Sequence, residues 1–277
     1  MPKQTTGLKR NTIDKFYTSL KIVKICIELI KNTIDINDND LCIEPSAGNG
    51  SFINDIKKLF MHYRFYDIEP EHTDIKKINF LEFSNSKHLN SEYRKIHIVG
   101  NPPFGRQSSL AIKFIKTSAK FCDTISFILP KSFKKDSLKK HFPLNFHLVC
   151  ELDLQKNAFV VDENEYDVPT VFQIWIKKDI NRIVRKKLVP NNFKFVKKEE
   201  NHDISFRRVG INAGTIDVNT EEKSPQSHYF IKFDIERTDT LLYNISNINY
   251  NCKDNTCGPK SISKQELIHE FNIMFQK

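Results

Sequence analysis

The chain has 277 residues, 39% of them hydrophobic and 28% charged, which is enough apolar material for a full core and more length than one ordinary domain needs. Its formal charge of +9 favours polyanionic partners, with a lysine-rich solvated face as the bland alternative. No apolar run approaches a membrane span and the polar N-terminus has no signal core. Six scattered cysteines without ligand-spaced partners argue against a disulfide scaffold or a zinc site. A protein of the cytosol or nucleus is expected, not secreted, with no membrane partner and no metal.

Residues 1–12 are polar. Asp14-Lys15-Phe16-Tyr17-Thr18 then precedes Leu20 to Ile34, whose apolar spacing predicts a helix capped by Thr18 or Ser19. Leu41 to Glu44 reads as a short strand that breaks into Pro45-Ser46-Ala47-Gly48-Asn49-Gly50-Ser51 and re-enters a helix from Phe52 to Leu59. Small residues at 46–48 and 50 admit positive φ and close approach of a ligand to the backbone, and a helix N-terminus offers unpaired N–H groups. By itself the stretch reads equally as a plain tight connection, since it lacks both the dinucleotide glycine pattern and the P-loop lysine. Tyr63 to Ile68 predicts a second strand ending in Asp67-Ile68-Glu69-Pro70. An acid there, about 20 residues past a glycine turn, is where a ribose diol is held; a surface acid before a turn is the alternative.

Ile78 to Phe83 predicts a third short strand and loop, and Ile96 to Val99 a fourth strand that runs into Gly100-Asn101-Pro102-Pro103-Phe104-Gly105. Two successive prolines remove two N–H donors and fix both φ angles, leaving a stiff ledge that carries free carbonyls, one amide and one ring. Ser108 to Phe121 predicts a helix and Thr124 to Leu129 a fifth strand, followed by Pro130-Lys131-Ser132-Phe133-Lys134-Lys135. This alternation argues for a parallel α/β sheet. Leu148 to Leu154 and Thr170 to Ile176 predict an antiparallel pair joined by a long acidic loop with two aromatics, a length that is often functional. Residues 177–208 are the most basic stretch; short β-like fragments follow, and Lys264 to Phe275 predicts a closing helix. A boundary near 178 is expected, with residues 1–178 as the main domain and 179–277 as a basic C-terminal extension, a candidate for substrate binding.

The motif order resembles the S-adenosylmethionine-dependent amino-methyltransferases, in particular the N6-adenine type, over residues 13–176. The resemblance rests on Asp14 to Thr18, Glu44 to Phe52, Asp67 to Pro70 and Asn101-Pro102-Pro103-Phe104. It implies a Rossmann-like methyltransferase fold, a mostly parallel seven-stranded sheet with an antiparallel last strand, to which the residues add a small β-rich C-terminal extension. It also implies S-adenosylmethionine as cofactor. Ser46, Gly48 and Gly50 would hold its methionine part with Glu44 nearby, Asp67 its ribose and Ile68 its adenine face. Phe16 and Thr18 would close over the methionine end. Asn79 stands where relatives usually carry Asp, and its amide oxygen retains the acceptor role toward the adenine amino group; Phe80 follows as in the family.

An exocyclic adenine nitrogen is a poor nucleophile because its lone pair is delocalised. Two acceptors on its N–H bonds, the Asn101 side-chain oxygen and the Pro102 carbonyl, would favour a tetrahedral nitrogen and gain strength as positive charge develops. Pro103 stiffens the ledge and Phe104 would stack on the base. Arg106, Lys131, Lys134, Lys135, Arg207 and Arg208 are candidate phosphate contacts, each with a solvated-face alternative, and Arg106 could equally cap the next helix. DNA is the expected polymer. The same ledge also serves adenine in RNA, cytosine N4 and protein glutamine, so RNA adenine remains the first alternative and a catalytically silent nucleic-acid-binding protein of this fold the second.

Overall fold

The computed structural model describes residues 16–83, 92–161 and 164–276; Asp14 and Lys15 of the N-terminal motif lie outside them. Two compact units are present, one ending at Ile183 and the other beginning at Val184.

The first unit runs β1 (Tyr17–Thr18), α1 (Leu20–Thr33), β2 (Leu41–Glu44), α2 (Ile53–Leu59), β3 (His62–Asp67), β4 (Ile75–Lys77), β5 (Ile96–Gly100), α3 (Ser109–Ser118), β6 (Thr124–Pro130), α4 (Asp136–Lys139), β7 (Phe146–Asp153), β8 (Phe159–Val161), β9 (Asn164–Tyr166) and β10 (Thr170–Lys177). Seven strands form one sheet in the order β4-β3-β2-β5-β6-β10-β7. Neighbours from β4 to β6 are parallel, and β10 is antiparallel to both β6 and β7. This is the expected Rossmann-like methyltransferase topology, with the last strand inserted in reverse.

The central strands are buried along their length because helices cover both faces. Side chains alternate between two cores. Leu41, Ile43, Ile98 and Phe127 pack toward α3, whereas Cys42, Val99 and Ile128 share a core with Ile22, Val23, Cys26 and Ile30 of α1. Those α1 positions form one helical stripe. Ser19 occupies the N-cap of α1 but its hydroxyl makes no capping bond, so the expected cap is absent.

Two local expectations are corrected. The third strand lies at Ile75–Lys77, and Phe80–Glu82 is a 3-10 turn. Asn79 enforces that turn by accepting the Leu81 N–H at 3.2 Å and donating to Glu82 at 2.7 Å, while Phe80 packs against Phe83, Phe114 and Phe121. The long loop before β10 is structured too: β8 and β9 form a hairpin, and β8 pairs antiparallel with β1.

The amino edge of the sheet is closed by a buried polar network. Asp40, just before β2, accepts Arg94 at 2.9 and 2.8 Å and the Asn37 N–H at 2.9 Å, and it lies 3.2 Å from His97 Nε2. His97 Nδ1 in turn meets Thr124 at 2.8 Å. Burial pushes the Asp40 carboxyl up, but the bonds from Arg94, Asn37 and His97 outweigh it and hold the group down at about 2. Elsewhere Arg182, from the basic stretch, donates to the carbonyls of Lys139, Phe142, Pro143 and Phe146 and lies 5.3 Å over the Trp175 ring. It is a clamp on the turn before β7.

The second unit is an antiparallel sheet, β11 (Phe193–Val196), β12 (Ile204–Arg207), β13 (Ile216–Asp217) and β14 (His228–Phe233), in the order β11-β14-β12-β13. Helices α5 (Asp239–Ser246) and α6 (Lys264–Phe275) share a core with Phe193, Ile204, Phe206 and Ile231. The closing helix falls where its periodicity predicts, started by a Ser263–Glu266 capping box; α5, capped by Thr238, was not foreseen. No helix among the described residues is long and apolar enough to cross a membrane.

The Asp40 network predicts an acid-labile contribution to stability. A carboxylate held below its ordinary value of 3.8 stabilises the fold above that pH and loses the contribution as pH falls toward about 2. Denaturant unfolding of Asp40→Asn should show a loss of about 2 kcal/mol at neutral pH. The variant should also have a flatter acid limb than the wild type; parallel acid limbs would refute the assignment.

Candidate active site

The turn after β2 is held by its neighbour after β3. Ala47 N–H donates to the Tyr66 carbonyl at 2.9 Å, Gly48 N–H to Asp67 Oδ2 at 2.8 Å, and Glu71 N–H to the Gly48 carbonyl at 3.0 Å. Asp67 Oδ1 takes the Glu69 N–H at 2.8 Å. The acid named from the sequence therefore already braces both turns, with one lone pair on each oxygen left for a ligand. Gly48 has φ of 53°, and a Cβ there would stand 3.1 Å from the Tyr17 ring. Tyr17 itself donates to Glu71 at 2.6 Å.

Glu44 closes β2 and is only 2% exposed, with Oε2 buried and without a hydrogen-bond partner among the described residues. Burial, and then the charge of Asp67, push its carboxyl well above the ordinary value. A Cβ on Gly100 of the adjacent strand would stand 3.1 Å from Glu44 Cγ, so the glycine leaves room for this side chain.

Asn101 follows β5. Its Nδ2 donates to the Phe16 carbonyl at 3.0 Å; because a carbonyl only accepts, this bond fixes which way the amide faces. The other end, Oδ1, is buried with no partner among the described residues. Ser46 Oγ donates to the Asn101 carbonyl at 3.3 Å, linking ledge and glycine turn. The Phe104 carbonyl accepts the N–H groups of Leu110 and Ala111 at 3.1 and 3.3 Å, which nails the ledge to α3. Between them, Gln107 and Ser108 hold φ of 52° and 62°, a conformation most side chains avoid.

These elements enclose a cavity of about 830 Å³ at the carboxyl edge of the sheet, the place and size expected of a ligand site in an open α/β fold. Phe16, Thr18, Glu44, Ser46, Gly48, Asp67, Ile68, Asn79, Phe80, Asn101, Pro103, Phe104 and Arg106 all line it. Gly50 and Pro102 do not: Gly50, at φ of 85°, shapes the turn from behind, and Pro102 is buried beneath the ledge. Lys131, Lys134 and Lys135 do not line the cavity. Lys131 and Lys134 pair with Asp153 at 3.3 and 2.7 Å, Lys135 ends the same turn, and Arg207 and Arg208 belong to the second unit.

The sequence reading gave no role to Tyr17, Glu71 and Val168, which also line the cavity. Tyr17 pairs with Val160 across β1 and β8, and the Phe16 ring lies 6.2 Å from Phe159 and 5.2 Å from Tyr166. The hairpin thus supports the segment whose carbonyl orients Asn101. The available signal was the length and aromatic content of the loop, which carried no information about where it folds.

No family model matches the chain, and no curated protein does. Among solved structures, a Pyrococcus horikoshii protein described as an RNA methyltransferase is 15% identical over 62% of this chain and 93% of that one, with a TM-score of 0.45. The 23S rRNA methyltransferase ErmE is 14% identical over 62% and 73%, with a TM-score of 0.43. The N-methyltransferase NodS from Bradyrhizobium japonicum WM9, in complex with S-adenosyl-L-homocysteine, is 10% identical over 57% and 87%, with a TM-score of 0.41. At identities this low the likeness is one of fold.

Glu44 gives this site a pH signature. An acid whose folded value is raised binds more protons when native, so its share of stability is present below 4.5 and is lost as pH rises. Glu44→Gln should therefore be more stable than the wild type, by a margin that widens between about pH 5 and about pH 8. A margin independent of pH, read from denaturant midpoints, would refute the buried-acid assignment.

Proposed function

We propose that this chain transfers a methyl group from S-adenosylmethionine to the exocyclic N6 amine of adenine in nucleic acid, with DNA the polymer implied by the sequence resemblance. The observation that carries the reading is Asn101: one end of its amide is pinned and the other is a buried acceptor with no donor among the described residues. A buried oxygen left in that state costs stability, and an incoming N–H group relieves it.

The cavity suits the cofactor on three counts. It has room for a nucleoside joined to an amino acid. The orphaned Glu44 oxygen offers an acceptor where a cationic or N–H-bearing group can lie. Gly48 lines the cavity at φ of 53°, and a glycine there lets a ligand approach the main chain closely. Asp67 would take the ribose hydroxyls on its spare lone pairs, Ile68 and Phe80 would flank the adenine, and Asn79 Oδ1 would accept its amino group. Ser46, Gly48 and the turn shaped by Gly50 would hold the methionine part, with Phe16 and Thr18 closing over it. When bound, S-adenosylmethionine supplies an electrophilic methyl on a sulfonium centre.

Everything else is the work of protein groups. Asn101 Oδ1 would accept an N–H bond of the target amine, while Pro102, which does not line the cavity, would serve by fixing the ledge that carries it. The Asn101 interaction strengthens as the nitrogen becomes positive, which favours the transition state over the ground state. The proton can leave to solvent after transfer, so no strong base is needed. Phe104, fixed through its carbonyl to α3, would stack on the base, and Arg106, exposed and lining the cavity, would take a flanking phosphate. A duplex substrate would have to flip its adenine to enter.

The test is incubation of the protein with labelled S-adenosylmethionine and, separately, DNA, RNA and protein. Label is expected on adenine N6 of DNA. Asn101→Ala should lose about 10²- to 10³-fold in rate while still binding the cofactor by calorimetry. Label in RNA alone would move the substrate; label in no polymer would overturn the enzyme and leave a nucleic-acid-binding protein of this fold.

A further inference from the structure

On the second unit, strand register gathers polar side chains over one face of the sheet. Arg207 in β12 stands opposite His228 in β14, and Ser205 opposite Asp217 in β13. Side chains alternate along a strand, so Ser205 and Arg207 share this face while Ile204 and Phe206 enter the core. With Lys223 from the β13–β14 connection they border a cavity of about 140 Å³.

The acid of this cavity is satisfied, and the terminal donors of Arg207 are left open. Asp217 takes Lys223 Nζ at 2.5 Å on one oxygen and the Asn219 N–H at 2.9 Å on the other. Arg207 commits only Nε, to the Val209 carbonyl at 2.9 Å, and no carboxylate pairs with it among the described residues. Both terminal amino groups of its planar fork remain available. His228 is 8% exposed; its Nδ1 lies 3.0 Å from Ser227 Oγ and 3.2 Å from the Ser224 carbonyl, and burial pushes the ring toward its neutral form.

We propose that this cavity binds a phosphate group, held by the Arg207 fork with Lys223 and His228 beside it. Two permanent cations face one carboxylate, so the site is net positive. A guanidinium fork matches two phosphate oxygens at once. The volume admits a tetrahedral oxyanion and is too small for a nucleotide-sized ligand, whose pockets begin near ~300 Å³. For the source of the phosphate the proposal rests on the methyl-transfer reading, which makes a nucleic-acid backbone the expected one; free phosphate shares the chemistry.

The experiment uses the full chain without cofactor, so its failure and that of the methyl-transfer assay are separate. Thermal unfolding is followed in inorganic phosphate against chloride of equal ionic strength, and binding of a fluorescent oligonucleotide is titrated across salt concentrations. Phosphate should raise the melting temperature of the wild type and not of Arg207→Gln. That variant should bind the oligonucleotide about tenfold more weakly, with a salt slope smaller by about 1. Lys223→Gln, an independent change in a connecting loop, unmasks Asp217 and should weaken both readouts. A phosphate shift with unchanged oligonucleotide affinity would keep the site and assign it to a free phosphate ligand. Variants that fold as wild type by circular dichroism and change neither readout would overturn it.

Discussion

A buried oxygen needs a donor, and the first unit of this protein obeys that rule at one edge of its sheet and breaks it at the other. At the amino edge Asp40 is enclosed by Arg94, the Asn37 N–H and His97, and Asp123 accepts the Ile96 N–H at 2.8 Å. At the carboxyl edge Glu44 Oε2 and Asn101 Oδ1 are buried with nothing donating to them among the described residues. The two edges terminate the same strands, so the contrast is not one of fold quality. Satisfied polar groups add rigidity, and these two open acceptors belong to residues that line the cavity, where an incoming donor would complete them.

The carboxyl edge can tolerate its open acceptors because the backbone around them is over-determined. Asp67 binds two turns together, Ser46 joins the glycine turn to the ledge, and the Phe104 carbonyl is fixed to α3. Asn101 cannot rotate to find a donor elsewhere, since its other end is held by the Phe16 carbonyl. Preorganisation of this kind is what electrostatic stabilisation of a developing charge requires, because nothing has to reorient during reaction. The β8–β9 hairpin belongs to the same arrangement through its pairing with β1.

Much of this was legible in the sequence. The strand–turn–helix at 41–59, the acid at 67 and the ledge at 101–104 are local patterns, and each folds as its residues dictate: glycines for positive φ, prolines for fixed φ, continuous apolar runs for buried parallel strands. The antiparallel pair followed from two strand-like runs joined by a long loop, and the reversed last strand from the family resemblance. The third strand was misplaced because Ile78 to Phe83 carries strand composition, whereas the Asn79 side chain bonds two residues onward and bends the backbone into a turn. The flap at 157–169 was seen as long and aromatic without a destination.

The sequence by itself determined where the chain turns, which runs are buried and which chemistry can sit at the ledge, because those depend on neighbours a few residues apart. Only the tertiary structure decided which polar groups are spent. It pairs Lys131 and Lys134 with Asp153, spends Arg182 on a turn, leaves the Arg207 fork open, and aims Asn101 through a partner 85 residues away in the chain. Hydrogen bonds and ion pairs act over a few ångströms, and folding brings within that reach groups whose sequence separation carries no sign of the contact.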